Sequence, residues 1–250
     1  MAEKQIKAVI FDLDDTLIDW SGLSLDYFEL LGKPYEAMHA YLLDHGFPMP
    51  SIEDFVKMGE ESVLAEWTQK KKTFAGANFE DALTATLKRC GISADQVDML
   101  ALMKAYEWKA APGVEPYPDT HSTLTYLKEQ GYKIGLITNA FQPMWMRDPE
   151  LEEYDLIKYF DARITSGDTR FMKPHPAIYW RMLGLLDLMP GDCVFVGDRP
   201  GHDVQGAHNV GMIGIMIDPP HLDRGFEGAS PDYVIHSLSE LLPILEELNA

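Results

Sequence analysis

Short apolar runs that alternate with helical stretches are the feature that most constrains the fold of this chain. The runs lie at 6–11, 133–138, 193–198, 212–218 and 233–236. Uninterrupted runs of Val, Ile, Ala and Phe are typical of strands that are buried on both faces of a sheet. Helical spacing is found at 118–130, 150–159, 175–187, 202–209 and 237–248. This alternation predicts an α/β fold, with a doubly wound parallel sheet and right-handed crossovers.

An insertion separates the first predicted strand from the rest of the sheet. About 120 residues lie between the first two apolar runs, whereas a crossover between parallel strands needs only about a dozen or more. Within this segment the strand-like runs disappear and apolar residues recur at helical spacing. The sequence therefore predicts an α-helical cap domain at 21–111, inserted into a catalytic core made of 1–20 and 112–250. Gly and Pro predict hinges at 19–22 and 110–118.

Composition disfavours several classes of protein. The formal net charge is −19, from 40 acidic and 21 basic residues, so the average field repels nucleic acids and anionic membranes. No run approaches the ~18 apolar residues of a membrane span, and the first residues lack a signal-peptide pattern. We therefore expect a cytoplasmic protein that binds neither a nucleic-acid polymer nor a membrane. Cys90 and Cys193 are expected to be reduced.

Polar side chains stand at the carboxyl ends of three predicted strands. Asp12 and Asp14 follow the first strand, the second strand ends in Thr138 and Asn139, and the third ends in Asp198. Because side chains alternate along an extended chain, the two aspartates of the first strand point the same way. In a doubly wound sheet the working site lies beyond these strand ends. We therefore expect the polar groups to converge there.

Such a convergence of carboxylates requires a cation. Two carboxylates ~4 Å apart repel by about 4 kcal/mol at an effective dielectric constant of ~20, which is unfavourable unless a proton or a cation joins them. Asp203, at the start of the next predicted helix, adds a further acid. Oxygen ligands suit Mg²⁺, which binds one or two carboxylates together with substrate phosphate oxygens. The sequence thus predicts Mg²⁺ as the cofactor.

Four short motifs occur in order along the chain. They are Asp12-Leu13-Asp14-Asp15-Thr16, Thr138 after a hydrophobic strand, Lys173-Pro174, and Gly197-Asp198 followed by Asp203. In this order they resemble the motifs of the haloacid dehalogenase superfamily, most of whose members are phosphatases with an aspartate nucleophile. The resemblance covers nearly the whole chain. It implies a Rossmann-like core with a helical cap that closes over the site.

The resemblance also implies a role for each site residue. Asp12 attacks phosphorus and forms an aspartyl-phosphate, and Asp14 protonates the leaving oxygen and later activates the water. Lys173 reduces the repulsion between the nucleophile and the anionic phosphate. Thr138 and Asn139 hold the phosphate oxygens.

The same resemblance implies a metal site. Its predicted ligands are Asp12, Asp14 through its backbone carbonyl, and Asp198. Asp203 is either a further ligand or a partner that holds Lys173 or a bound water.

The chain departs from the family pattern at two places. Asp15 stands where many members have glycine, and Arg199-Pro200-Gly201-His202 replaces a loop in which serine often follows the metal-binding aspartate. Arg199 either reaches an anionic end of the substrate or pairs with an acid, and we favour the pairing. The segment 139–147, which ends at Arg147, either stacks on a substrate ring or packs against the cap. The second interpretation is favoured, because aromatic and Met clusters usually belong to a core.

The function that follows is Mg²⁺-dependent hydrolysis of a small phosphomonoester, of the nucleotide or sugar phosphate class. A phosphomutase would use the same motifs, and a binding protein could retain the fold without turnover. A 2-haloacid dehalogenase is a further candidate. Asp14 argues against it, because a halide needs no proton in order to leave.

Overall fold

The computed structural model describes residues 5–25, 27–219, 221–222 and 229–250. Among these residues, none of the helices combines the length and the apolar character that crossing a bilayer requires. Both cysteines are free thiols, Cys193 in the interior and Cys90 partly exposed.

A parallel sheet forms the centre of the core. The strands are β1 Ala8–Phe11, β2 Ile18–Asp19, β3 Glu115–Pro116, β4 Lys133–Thr138, β5 Ala162–Thr165, β6 Cys193–Gly197, β7 Ile213–Ile217 and β8 Tyr233–Ile235. Within the described residues, six of them form one sheet in the order β5-β4-β1-β6-β7-β8, and β2 and β3 form a small antiparallel pair. Every pairing in the larger sheet is parallel. The predicted α/β fold is therefore confirmed.

Helices cover both faces of this sheet. The α-helices of the described residues are α1 Tyr27–Asp44, α2 Ile52–Lys71, α3 Phe79–Arg89, α4 Met99–Ala105, α5 Thr120–Glu129, α6 Met144–Glu153, α7 Ser166–Thr169, α8 Pro176–Leu186, α9 Gln205–Val210 and α10 Leu241–Leu248. Of these, α5 and α10 pack on one face of the sheet, and α8 and α9 pack on the other. Alternate residues of β1 face opposite layers. Ala8 and Ile10 belong to a cluster with α8 and α9, whereas Val9 and Phe11 belong to one with α5 and α10. This is the arrangement of a doubly wound sheet.

The insertion, which lies between the short strands β2 and β3, is helical, as predicted. It contains α1 to α4, and aromatic side chains form its interior. Tyr35 of α1 lies edge-on to Phe55 of α2 at 5.9 Å and to Tyr106 at 5.7 Å, measured between ring centroids. Polar caps set two of the helix starts: Ser51 accepts from the N–H of Asp54, and Asn78 accepts from the N–H of Asp81. The domain limits at 20/21 and 111/112 stay a prediction.

The two segments that lead into and out of the helical insertion touch each other. A Cβ atom on Gly22 would lie 2.2 Å from the carbonyl oxygen of Gly113, and a Cβ atom on Gly113 would lie 2.0 Å from that of Gly22. Gly113 also has a φ of +86°. The N–H of Ser24 donates to the carbonyl of Pro112 at 3.0 Å. Both predicted hinges thus meet at one crossing point, where no side chain fits.

We expect Gly113→Ala to destabilise the protein by more than the left-handed backbone alone would explain. That backbone costs an L-residue about 1–2 kcal/mol, and here the new methyl group also meets a carbonyl oxygen. Gly131→Ala is the matched control, because Gly131 has a φ of +77° and open space around its Cβ position. Urea unfolding of the two variants measures the difference. Equal losses in the two variants would contradict the crowding at the crossing point.

Some sequence-based boundaries were wrong. The helix predicted at 150–159 is α6, which begins at Met144 and ends at Glu153. Its start is set by Asp168, whose carboxylate accepts from the N–H of Met144 at 3.1 and 3.2 Å. The strand β5 was not predicted, because four residues that include Arg163 carry little strand signal. The helix predicted at 202–209 begins as a π-helical turn at Pro200 and continues into α9.

Candidate active site

Three strand ends converge at one edge of the sheet. Strand β1 lies between β4 and β6, and Phe11 is in register with Leu136 and with Val196. The chain continues from β1 into Asp12 and from β6 into Asp198, and β4 ends at Thr138. The first of these is fixed by its backbone N–H, which donates to the carbonyl of Val196 at 2.9 Å. The predicted convergence of polar side chains is therefore present.

Lys173 connects two of the buried carboxylates. Its Nζ lies 2.8 Å from Oδ1 of Asp12 and 2.7 Å from Oδ1 of Asp203, and the residue is only 1% exposed. Burial acts to lower the pKa of Lys173, but the two carboxylates raise it by more, so the ammonium stays charged. Burial also raises the pKa of the Asp12 carboxyl to about 6, although Lys173 opposes this shift. Asp12 therefore lies where its ionised form needs further positive charge.

The acidic cluster fits a magnesium ion. One carboxylate oxygen from each of Asp12, Asp198 and Asp203 lies within 4.8 Å of the others, and all three residues are buried. Three acidic groups share the one buried ammonium of Lys173, so the cluster contains more carboxyl groups than buried cations. A donor set made only of oxygen suits a hard divalent cation.

Asp203 has partners on both of its carboxylate oxygens. Oδ1 contacts Lys173, and Oδ2 accepts from the N–H of Arg199 at 2.9 Å. This close approach depends on Gly197, because a Cβ atom there would lie 2.4 Å from the carboxylate of Asp203. The contacts favour a role in holding Lys173 and the loop that begins at Arg199. They leave Asp12 and Asp198 as the carboxylates better placed to bind a cation.

The second acid of the first motif lies in a different environment. Oδ1 of Asp14 accepts from the indole N–H of Trp20 at 2.8 Å and from Nη2 of Arg147 at 3.3 Å. The hydroxyl of Thr138 lies 3.4 Å from Oδ2. The carboxylate is 30% exposed, whereas that of Asp12 is 9% exposed. The two aspartates are thus separated into a buried group beside a lysine and an accessible group beside an arginine.

Asp15 occupies a left-handed turn immediately after this pair. Its φ is +58°, and its N–H donates to the carbonyl of Ile18 at 2.9 Å. Aspartate tolerates this left-handed conformation better than most residues. The chain can therefore have an acid at a position where glycine is common in the family that its motifs resemble.

Asn139 lies in the site, and both the oxygen and the nitrogen of its side-chain amide are already hydrogen-bonded. Its Oδ1 accepts from the N–H of Lys173 at 2.8 Å, and its Nδ2 donates to the carbonyl of Lys173 at 3.2 Å. This pair of bonds fixes the backbone that carries the lysine. Phosphate binding by Asn139 stays a prediction, and the structure adds this positioning contact to it.

The sequence did not indicate the partner of Arg147. The guanidinium is buried, and its Nε lies 2.6 Å from Oε2 of Glu150, which is fully buried. The ring centroid of Trp108 lies 5.6 Å from the guanidinium carbon. Burial raises the pKa of Glu150 while Arg147 lowers it, and the net direction is upward. With the start of α6 placed at Met144, these two residues are an i, i+3 pair on one helix face.

The segment 139–147 and the Arg199 side chain also have defined surroundings. Phe141 is buried and packs against Phe79 of the cap helix α3, with ring centroids 5.5 Å apart, which agrees with the favoured packing interpretation. Trp145 is 40% exposed. Arg199 places Nε 3.9 Å from Oδ2 of Asp198, and its side chain is 49% exposed, so the pairing is loose.

A cavity of about 430 Å³ opens above the strand ends. Its floor contains Asp12, Asp14, Thr138 and Lys173, and Arg199 lies at its side. The opposite wall is mainly apolar and comes largely from the helical insertion: Leu64, Trp67, Thr68 and Phe74, together with Met172. A second cavity of about 370 Å³ adjoins it and also reaches Asp14.

Comparisons with known proteins agree with this geometry. Pyrophosphatase PpaX from Bacillus mycoides is 29% identical over 248 residues, which cover 98% of this chain and 99% of the relative. A crystal structure of a HAD phosphatase from Thermococcus onnurineus matches with a TM-score of 0.62 and 28% identity, covering 98% of this chain and all of the other (100%).

A 2-haloacid dehalogenase from Pseudomonas syringae pv. Tomato has the same TM-score of 0.62 at 23% identity, over 97% of this chain and 99% of the other. At that identity the match shows the shared fold alone. The family model described as haloacid dehalogenase-like hydrolase matches residues 9–217. This chain therefore belongs to the haloacid dehalogenase-like hydrolase family.

Proposed function

We propose that this protein is a Mg²⁺-dependent phosphatase that hydrolyses a small organic phosphomonoester through a phosphorylated Asp12. The observation that carries the proposal is the pair of differently placed aspartates. Asp12 is buried against Lys173, and Asp14 is accessible in the same cavity. A carboxylate nucleophile and a separate proton carrier are what a two-step transfer requires.

The contacts of Asp12 indicate which oxygen attacks. Both of its side-chain contacts with the described residues involve Oδ1, which lies 2.8 Å from the N–H of Leu13 and 2.8 Å from Nζ of Lys173. Oδ2 is left to form the bond to phosphorus. Lys173 reduces the charge repulsion during the approach, and the Thr138 hydroxyl is placed to donate to a phosphate oxygen. Mg²⁺, bound by Asp12, Asp198 and the carbonyl of Asp14, would neutralise phosphate charge.

Asp14 moves the proton in both steps. As the bond from phosphorus to the leaving oxygen breaks, the Asp14 carboxyl gives that oxygen its proton, and an alcohol departs. The resulting carboxylate then takes a proton from the water that attacks the phosphorylated Asp12. Inorganic phosphate leaves, and both aspartates return to their starting states.

The wall of the cavity supports an organic leaving group. Leu64 is 66% exposed and Phe74 is 40% exposed, yet both line the active-site cavity together with Trp67 and Met172. Large apolar side chains that remain accessible around a polar floor are typical of a surface that a ligand covers. A phosphomonoester with an apolar or planar group matches both parts of the cavity.

Pyrophosphate is the second candidate substrate, and the PpaX relatives at 28–29% identity favour it. Its leaving group is a phosphate, which needs cations and not an apolar wall. Among the described residues that line the cavity, the arginine and lysine side chains are Lys173 and Arg199. Arg199 is half exposed, so the cavity offers few cations to a second phosphate group.

A substrate panel tests the proposal. Inorganic phosphate release is measured for nucleoside monophosphates, sugar phosphates, p-nitrophenyl phosphate and pyrophosphate, with Mg²⁺ and with EDTA. We expect release from organic monoesters that requires Mg²⁺. Turnover of pyrophosphate alone would favour the second candidate.

Three further readouts on the same samples separate hydrolysis from a mutase, a dehalogenase and a binding protein. An isomerised sugar phosphate as the main product indicates a mutase, and halide release from a 2-haloacid indicates a dehalogenase. The absence of any turnover supports a binding protein.

We expect Trp67→Ala to distinguish the two substrate classes. Loss of the indole removes contact with an organic leaving group, so kcat/KM for the best organic monoester should fall about 10-fold, or ~1.4 kcal/mol. The value for pyrophosphate should stay unchanged, because that substrate makes no use of an apolar wall. Trp180→Ala is the control, because Trp180 is 49% exposed on α8 and lies outside this cavity. Equal losses for both substrates would argue that Trp67 only supports the fold.

A further inference from the structure

We propose that Arg147, held by Glu150, is a positioning residue that fixes the Asp14 carboxyl group where it protonates the leaving oxygen. This inference rests on the proposed phosphatase function. It assigns a role to a buried ion pair that the transfer of phosphate itself does not use.

The geometry forms a continuous chain of contacts. Nη2 of Arg147 lies 3.3 Å from Oδ1 of Asp14, and Nε lies 2.6 Å from Oε2 of Glu150. The side chains of Arg147 and Glu150 are 5% and 0% exposed, whereas the side chain of Asp14, which lines the cavity, is 30% exposed. A planar guanidinium with a fixed partner on one edge presents its other donors in a defined direction. Glu150 therefore aims Arg147 at Asp14.

The charges argue against a substrate-binding role for this arginine. Burial acts to lower the pKa of Arg147, and Glu150 and Asp14 raise it by more, so the guanidinium is permanently charged. Two carboxylates already surround that single positive charge. A substrate phosphate would have to compete with these two carboxylates for the same guanidinium, so its binding would be only weakly favourable. Arg199, which is half exposed, is the more available cation for a substrate.

A second donor acts on the same oxygen of Asp14. The indole N–H of Trp20 donates to Oδ1 at 2.8 Å, so both fixed donors bind one oxygen. Among the described residues, Oδ2 accepts only a long bond from the Thr138 hydroxyl, at 3.4 Å, and is therefore the oxygen that faces the reacting groups. The proton therefore passes from Oδ2 to the leaving oxygen as the bond to phosphorus breaks. Without Arg147 a single fixed donor, the Trp20 N–H, holds Oδ1, so the carboxyl group rotates more freely and its distance to the leaving oxygen is less well defined.

The test compares two leaving groups in Arg147→Gln. An alkyl phosphate needs a proton on its leaving oxygen, whereas p-nitrophenyl phosphate releases a stable phenolate. The measured quantity is kcat/KM, which covers the steps up to the first transfer. We expect kcat/KM for the alkyl phosphate to fall about 10-fold more than that for p-nitrophenyl phosphate. Asp14→Asn should show the same selectivity to a larger degree.

Two other variants keep the test decisive. Glu150→Gln preserves shape and removes the charge that aims Arg147, so it should give a smaller loss of the same selective kind, even if Arg147→Gln folds poorly. Arg163→Gln is the matched control. It breaks an ion pair with Asp148 of the same helix, at 2.6 and 2.9 Å, outside the active-site cavity. Arg163→Gln should change both substrates equally.

The outcomes separate the two proposals. Equal losses for both phosphates in Arg147→Gln and in Glu150→Gln would overturn the positioning role and leave the phosphatase function intact. If the wild-type protein releases phosphate from no organic monoester, the proposed function itself is overturned.

Discussion

Phosphate release by Asp12→Asn should fall by at least about 10⁴-fold, the scale seen when a catalytic nucleophile is removed from an enzyme. The asparagine amide keeps the shape of the side chain but cannot form the acyl-phosphate. Steady-state release of inorganic phosphate measures the loss, and a radiolabelled substrate shows whether labelled protein accumulates. Turnover near the wild-type rate would exclude Asp12 as the nucleophile.

Two measurements separate this loss from misfolding. Asp15→Asn makes the same chemical change three residues later in the same motif, at a left-handed position that asparagine tolerates, and it should retain most of the activity. Without Mg²⁺, Asp12→Asn should also be at least as stable to urea as the wild type at neutral pH. The folded pKa of Asp12 is raised from 3.8 to about 6, so ionisation of this group above that pH opposes folding. The asparagine removes that cost.

Lys173→Met should destabilise the metal-free protein by about 3–5 kcal/mol, the usual cost of leaving a buried charge without its partner. Methionine fills the space of the lysine stem but leaves Asp12 and Asp203 facing each other in the interior. Urea unfolding measures the loss, and phosphate release should fall as well. Addition of Mg²⁺ should restore part of the stability, because an ion that binds only the folded state shifts the equilibrium towards it.

Lys128→Met is the matched control for this change. Its ammonium lies 2.9 Å from Asp161, but both side chains are more than one third exposed, and such surface pairs contribute about 0–1 kcal/mol. A loss in Lys173→Met no larger than that of the control would mean that the carboxylates around Lys173 are neutral in the folded protein.

Local chemistry explains why the sequence could indicate so much of the site. The placement of Asp12, Asp14 and Asp198 depends only on strand periodicity and on the rule that parallel strands end at one edge. Strand β4 was predicted to the residue, because its apolar run is continuous and is bounded by polar residues. The other strands and helices of the core that the sequence predicted differ from their predicted limits mainly at the ends, whereas β5 was not predicted.

The contacts that the sequence did not indicate depend on distant partners. The start of α6 is set by Asp168, which lies 24 residues away along the chain, and that start places Arg147 and Glu150 on one helix face. In the same way, the amide of Asn139 is bonded to Lys173, 34 residues further on. An amide or a guanidinium can bind either a substrate or its own protein, and only tertiary contacts decide between them.

The contact between Gly22 and Gly113 has a consequence for how such a chain can diversify. For the α/β core, the helical insertion is a loop whose two ends already lie together. The entropic cost of closing a loop grows only with the logarithm of the loop length, by about 0.6 kcal/mol for each doubling. The length of this insertion, about 90 residues, therefore has little influence on the stability of the core. Insertions of other sizes can therefore be exchanged at this crossing point, each with its own apolar wall, while the catalytic edge of the sheet remains unchanged.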